Sequence, residues 1–166
     1  MKKLLLIIIF FISYSVYCQN EKAERNAYHL EIAADETRQY AMDVKQSAYF
    51  VKDKVLQIYC GEEILVECEI ENDTIKSMKV VEKNINPNKT ITINFNQNTE
   101  DRKQIKTDLL VKNPFQKKLL YDAFMFTPKS QQWKSTSIIP IKPTLQNYEM
   151  WPHSIITLVL QNWRLE

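Results

Sequence analysis

An all-β chain folded as an antiparallel sandwich of about seven to nine strands is the expectation here, and three observations carry it. Apolar side chains recur at alternate positions, as where Ile91, Ile93 and Phe95 interleave with Thr92, Asn94 and Asn96. That period of two sends one set of side chains inward and the other outward along an extended strand. Turn-forming residues punctuate the runs at intervals of about 8 to 12 residues, and helical periodicity is almost lacking. A closed barrel is the alternative architecture that the same pattern allows.

The first residues read as a targeting segment. Lys2 and Lys3 precede the apolar run Leu4 to Ile12, and a more polar stretch ends at Cys18 ahead of Glu21 and Lys22. A basic tip, an apolar stretch of roughly 7 to 15 residues and a small residue at the end make a secretory signal peptide, too short to persist as a spanning helix of about 20 residues. Residues 1–18 are therefore expected to be cleaved, leaving Gln19 as the first residue of a protein exported to the periplasm or beyond the cell. The competing reading makes Cys18 a lipid-modified first residue, which would hold the domain at a membrane surface. Tyr17 is bulky for that pattern.

Cleavage removes two lysines and no acids, so the mature chain carries 20 basic and 20 acidic side chains. A formally neutral chain without a run of one sign lacks the concentrated positive charge that nucleic acid or anionic lipid requires. Its length suits one domain with one core. Of three cysteines only Cys60 and Cys68 remain after cleavage. An oxidising compartment permits a bridge, but a two-residue turn at Gly61-Glu62 would set Cys60 opposite Glu63, and buried free thiols are the favoured reading. Those cysteines and the distant His29 and His153 make no zinc spacing. Neither metal nor cofactor is expected.

Taken in order, residues 19–47 form an N-terminal arm. Helix formers at Glu21 to Ala27 give way to alternation at Tyr28, Leu30 and Ile32 and again at Tyr40, Met42 and Val44, so the arm is read as an added edge strand. The sandwich domain covers 48–166. Val55 to Tyr59 is apolar and β-prone. Gly61, the single glycine of the chain, stands at the next step and marks a positive φ. Ile64, Val66, Cys68 and Ile70 then alternate with glutamates, and Ile75 to Val81 returns after the turn at Glu71-Asn72-Asp73-Thr74. Asn86-Pro87-Asn88-Lys89 turns the chain into Thr90 to Asn96, and a polar loop to Lys103 follows. Ile105, Thr107, Leu109 and Val111 face inward until Asn113-Pro114 breaks the run, because proline has no amide hydrogen and pushes the residue before it out of the helical region. Leu119 to Phe126 is apolar on both faces and is expected as a central strand covered on two sides. Trp133 to Ile139 is broken by Pro140 and Pro143, which an edge or sheet-switching strand tolerates. Leu145 to Trp151 and Ile155 to Leu165 finish the chain, the last run without a breaker and so inside a sheet.

The strand pair in LLVKNPFQKKLLYDAFMF, the WKSTSIIP run and the YEMWPHSIITLVLQNWRL ending resemble, in layout, small exported immunoglobulin-like sandwich domains of Gram-negative bacteria. The resemblance spans roughly Tyr49 to Glu166. It implies an immunoglobulin-like arrangement of strands and brings no assigned activity or catalytic motif. The antibody-type pattern of two cysteines bracketing a tryptophan is absent, since Cys60 and Cys68 are close together and Trp133 lies far beyond them.

Groups able to carry chemistry are sparse. No GxSxG or HExxH occurs, and one glycine cannot build a phosphate-cradling loop. A non-catalytic binding or structural module of the cell envelope, with a protein or glycan partner, is the expected function. The alternatives are a carbohydrate-binding module using exposed tryptophan and a small hydrolase using a carboxylate pair, whose spacing is spatial rather than sequential. The candidate binding residues are Trp133, Tyr148, Trp151 and His153, an aromatic platform with a titratable neighbour. The structural reading of the same residues has Trp151 plugging one end of the sandwich and His153 bonding a backbone carbonyl after the proline turn. Asp73-Thr74-Ile75 resembles the short Asp-Ser/Thr-apolar signal for O-linked glycosylation in some bacterial exporters, which makes Thr74 a candidate acceptor at a hairpin tip.

Overall fold

The alternating runs form strands β1 (Glu24–Arg25), β2 (Tyr28–Ala33), β3 (Gln39–Val44), β4 (Ser47–Ala48), β5 (Phe50–Lys52), β6 (Val55–Tyr59) and β7 (Glu62–Glu71). They continue as β8 (Thr74–Val81), β9 (Thr90–Asn98), β10 (Lys106–Lys112), β11 (Leu119–Phe126), β12 (Trp133–Thr136), β13 (Gln146–Trp151) and β14 (Thr157–Leu165). The structure, a computed structural model, describes residues 20–99 and 104–166; the signal peptide expected over residues 1–18, with Cys18 and Gln19, lies outside the described residues. Two antiparallel five-stranded sheets, ordered β13-β10-β9-β7-β8 and β12-β11-β14-β6-β5, make the layers of a sandwich. The strands the sequence does not announce are β1, β4 and β5, whose two or three residues each are too few to show a period, and β1 lies in the run of helix formers.

Register turns the alternation into a core. Ile93 of β9 lies between Val111 of β10 and Ile64 of β7, and Phe95 pairs with Leu109. All five are buried, as are Leu56, Ile58, Leu158 and Leu160 of the facing sheet. Each such side chain contributes about 1.5 to 3 kcal/mol by leaving water. The expectation for Leu119 to Phe126 needs correction. In β11 only Leu119, Tyr121 and Ala123 are buried, while Leu120, Asp122 and Phe124 are half-exposed. That strand lies one place in from a sheet edge with its outer face toward solvent, where single apolar residues are commonplace.

Turns and corners follow the local chemistry. Gly61 adopts φ +93 between β6 and β7. Asn113 is fully buried at the corner after β10. Its Nδ2 donates to the carbonyl oxygens of Lys117 (2.8 Å), Ile141 and Lys142 (3.1 Å each), and its Oδ1 accepts the Phe115 N–H at 2.9 Å. Cys60 and Cys68 are free and buried, and desolvation pushes both thiols up to about 12.

Within the arm, β2 pairs with β3 and β1 with β4. Leu30, Ile32 and Val44 of the β2–β3 hairpin join the core. The Gln97 side chain accepts the Ala33 N–H at 2.8 Å and donates to the Ala33 carbonyl at 2.9 Å, and Ser154 Oγ donates to the same carbonyl. Arg25 fastens the other end. Its guanidinium, 2% exposed, donates from Nε to Glu62 Oε1 (2.8 Å), from Nη1 to Ser47 Oγ and the Ala48 carbonyl, and from Nη2 to the Gln57 carbonyl (2.6 Å). It lies 4.5 Å from the centre of the Tyr49 ring and 5.1 Å from that of Tyr59. Glu62 Oε2 accepts the Tyr59 N–H at 2.8 Å. Burial and then the Glu62 charge hold the Tyr28 hydroxyl pKa above its usual range. Removing one member of a buried pair leaves the other without compensation, so Arg25→Ala is expected to cost about 3 to 5 kcal/mol. The loss is read as a lower urea midpoint at unchanged slope; a loss below about 1 kcal/mol would show that Glu62 finds water or another partner.

Candidate functional site

Strand position sorts the aromatic residues. Trp151, at the end of β13, is 8% exposed and points inward. Its Nε1 donates to Thr136 Oγ1 at 2.9 Å and so ties β13 to β12, the edge strands of opposite sheets. Trp163 is also buried and stacks on Tyr121 with ring centres 4.6 Å apart. Trp133 opens β12, is 47% exposed and leans on Phe126 with ring centres 5.4 Å apart. Tyr148 is exposed on the outer side of β13, opposite Leu110, with Met150 opposite Asp108. The Asp108 carboxylate raises the Tyr148 pKa, first through hydrogen bonding to the hydroxyl. His153 is exposed beyond β13. Its carbonyl accepts from Thr107 Oγ1 at 2.8 Å, and partial desolvation lowers its imidazole pKa. The four candidate residues therefore do not share one pocket. Trp133 and Tyr148 occupy different sheets, Trp151 links those sheets from within, and His153 lies at the end.

Exposed apolar side chains concentrate in one stretch of the chain. Of the seven exposed large apolar side chains among the described residues, Trp133, Ile139, Leu145, Tyr148 and Met150 all fall between positions 133 and 150. The crossover from β12 to β13 spans the open side of the sandwich. The Ile139 N–H donates to Glu149 Oε1 at 2.9 Å, and Ile141 exchanges two 2.9 Å backbone bonds with Leu119. Ile139, Leu145 and Met150 were not singled out in the sequence. For Ile139 and Leu145 the available signal was their place beside Pro140 and Pro143, which cannot take their turn in a continuous ladder, whereas Met150 faces outward by alternation along β13.

Three carboxylates are held in their charged form by close partners. Glu67 accepts from Asn86 Nδ2 at 2.7 Å and pairs with Lys79 at 3.2 Å. Asp122 accepts from Asn162 Nδ2 at 2.8 Å and pairs with Arg164 at 3.3 Å. Asp35 pairs with Arg38 at 2.6 Å. Hydrogen bonds lower the pKa of each, with Asn86, Asn162 and Arg38 as the largest influences respectively, whereas the acid of a glycoside hydrolase needs a raised one. Ser154 Oγ points at Ala33 rather than serving as a free nucleophile. Among the described residues no group of three or more His, Cys, Asp or Glu is placed to hold a metal, and no helix is long and apolar enough to cross a membrane. Thr74 is exposed beside the β7–β8 turn, where Asn72 and Asp73 both have positive φ and Asp73 pairs with Lys117 at 2.7 Å. Comparison with known protein families, with curated proteins and with solved structures finds no match for the chain.

The lowered carboxylates fix the sign of the pH response. A group whose pKa falls on folding stabilises the protein above its unfolded pKa, and that stability is lost as pH falls through the folded value. Thermal stability is therefore expected to hold above the usual glutamate value of 4.5 and to decline below it. Glu67→Gln should lower Tm at neutral pH and make the acid decline shallower; an unchanged pH profile would show that Glu67 is not a contributor.

Proposed function

We propose that the protein is an exported, non-catalytic binding module of the bacterial cell envelope, an immunoglobulin-like sandwich that engages a protein partner along the side formed by β12, the crossover and β13. The observation that carries this reading is that five of the seven exposed large apolar side chains among the described residues belong to the stretch from β12 through β13. Large aromatic and methionine side chains ringed by polar residues are the usual anchors of protein interfaces. Both bordering strands are sheet edges, which an extended segment of a partner can join through backbone hydrogen bonds. The basic tip and apolar run of residues 1–18 supply the export signal.

The test is made in the envelope of the producing cell. Protein recovered from it is expected to begin at Gln19; an acylated Cys18 would mean lipid anchoring instead. A photoreactive residue at Tyr148 or Met150 is expected to cross-link one defined protein, while the same residue at Val51, exposed on the opposite edge strand β5, does not. Equal adducts at all three positions would overturn the reading.

A glycan stacked on Trp133 is the second reading, favoured by that ring's exposure and by nothing comparable at Trp151 or Trp163. Iodide is expected to quench only the Trp133 share of the fluorescence, with no protection by envelope oligosaccharides. Protection of that share by a sugar would favour the glycan over the protein partner.

A further inference from the structure

A different site lies at the end of the sandwich where the hairpin meets the loops after β11 and β13. Residues 127–132 form an ordered turn. Thr127 Oγ1 accepts the Ser130 N–H at 3.1 Å and lies 3.0 Å from Ser130 Oγ, and the Thr127 carbonyl accepts the Gln131 N–H at 3.1 Å. The turn presents Lys129. Strand β12 then sets Lys134 opposite Met125 of β11, and Pro152 delivers His153 from the other side. These three bases line one cavity of about 580 Å³ together with Met125 and Pro128, and no carboxylate lines it. Neither lysine forms an ion pair among the described residues. With two lysines and no acid in its lining, the site is a local positive potential that attracts anions. Its volume is that of a small-molecule site rather than a single inorganic ion, and Met125 and Pro128 offer a surface for carbon.

We propose that this cavity binds a small organic carboxylate, the charged group toward Lys129 and Lys134 and the carbon body against Met125 and Pro128. The site is separate from the apolar side at Tyr148, and either can stand without the other.

Calorimetric titration of the mature chain with glucuronate and with benzoate tests it, each against its neutral counterpart, glucose or benzyl alcohol, and against inorganic phosphate. At least one carboxylate is expected to bind, more weakly as salt is raised, while the neutral molecules do not. Lys129→Gln and Lys134→Gln should each weaken binding about fivefold or more through loss of a charge-assisted contact, and the double variant should abolish it. Both side chains are exposed, so the variants should fold, and an unchanged Tm confirms it. Tyr148→Ala should leave binding unaltered. No heat with either carboxylate, equal binding of a neutral counterpart, phosphate binding as tight as the carboxylate, lysine variants that bind like the parent, or loss on Tyr148→Ala would each overturn the proposal.

Discussion

A guanidinium shut away from water constrains the rest of this molecule. Arg25 has to find acceptors, and the structure answers with the Glu62 carboxylate, the Ala48 and Gln57 carbonyls and the Ser47 hydroxyl. Those partners come from β7, β4 and β6, so one side chain decides where the arm joins the sandwich and which end the hairpin covers. Taking two charges out of water is expensive, and a buried pair is no proof of net stability. Its effect is on placement. With Arg25 fixed, Tyr28, Tyr49 and Tyr59 gather around it, and the hairpin reaches Gln97 and Ser154 at its other end.

The opposite flank obeys a different constraint. Two sheets of five strands leave an open side between β12 and β13, and the chain closes it by crossing over rather than by continuing a ladder. Trp151 and Glu149 face inward to hold the crossover through Thr136 and Ile139. Prolines at 140 and 143 rule out regular pairing there. Side chains that a continuous strand would have turned into the core, Ile139 and Leu145 among them, are left in solvent. The exposure of these apolar side chains thus follows from how the sandwich is closed.

Parity along a strand could be read from the residues, because it is local. Ile91, Ile93 and Phe95 are buried as their spacing required, and the last run lies inside its sheet. Parity alone misjudged β11, since apolar residues on both faces do not reveal that one face meets solvent. The three tryptophans show the same limit. Trp151 and Trp163 are buried and Trp133 is half-exposed, a difference set by sheet edges that no short stretch of sequence displays. Arg25 was hidden for the same reason. It follows Glu24 in a run of helix formers and looks like ordinary solvated charge, while its partners Gln57 and Glu62 lie 32 and 37 positions away.

Cys60 and Cys68 face a kinetic problem before they face a thermodynamic one. In the finished protein their thiols are shut in and far from ionised at neutral pH, hence inert toward oxidants. On the export route proposed above, the unfolded chain would meet an oxidising compartment without that shelter, and residues eight apart meet easily in a flexible coil. On that proposal, collapse of β6 and β7 onto their neighbours would have to outrun thiol oxidation to reach the native layers, in which Cys60 and Cys68 are buried and unbonded.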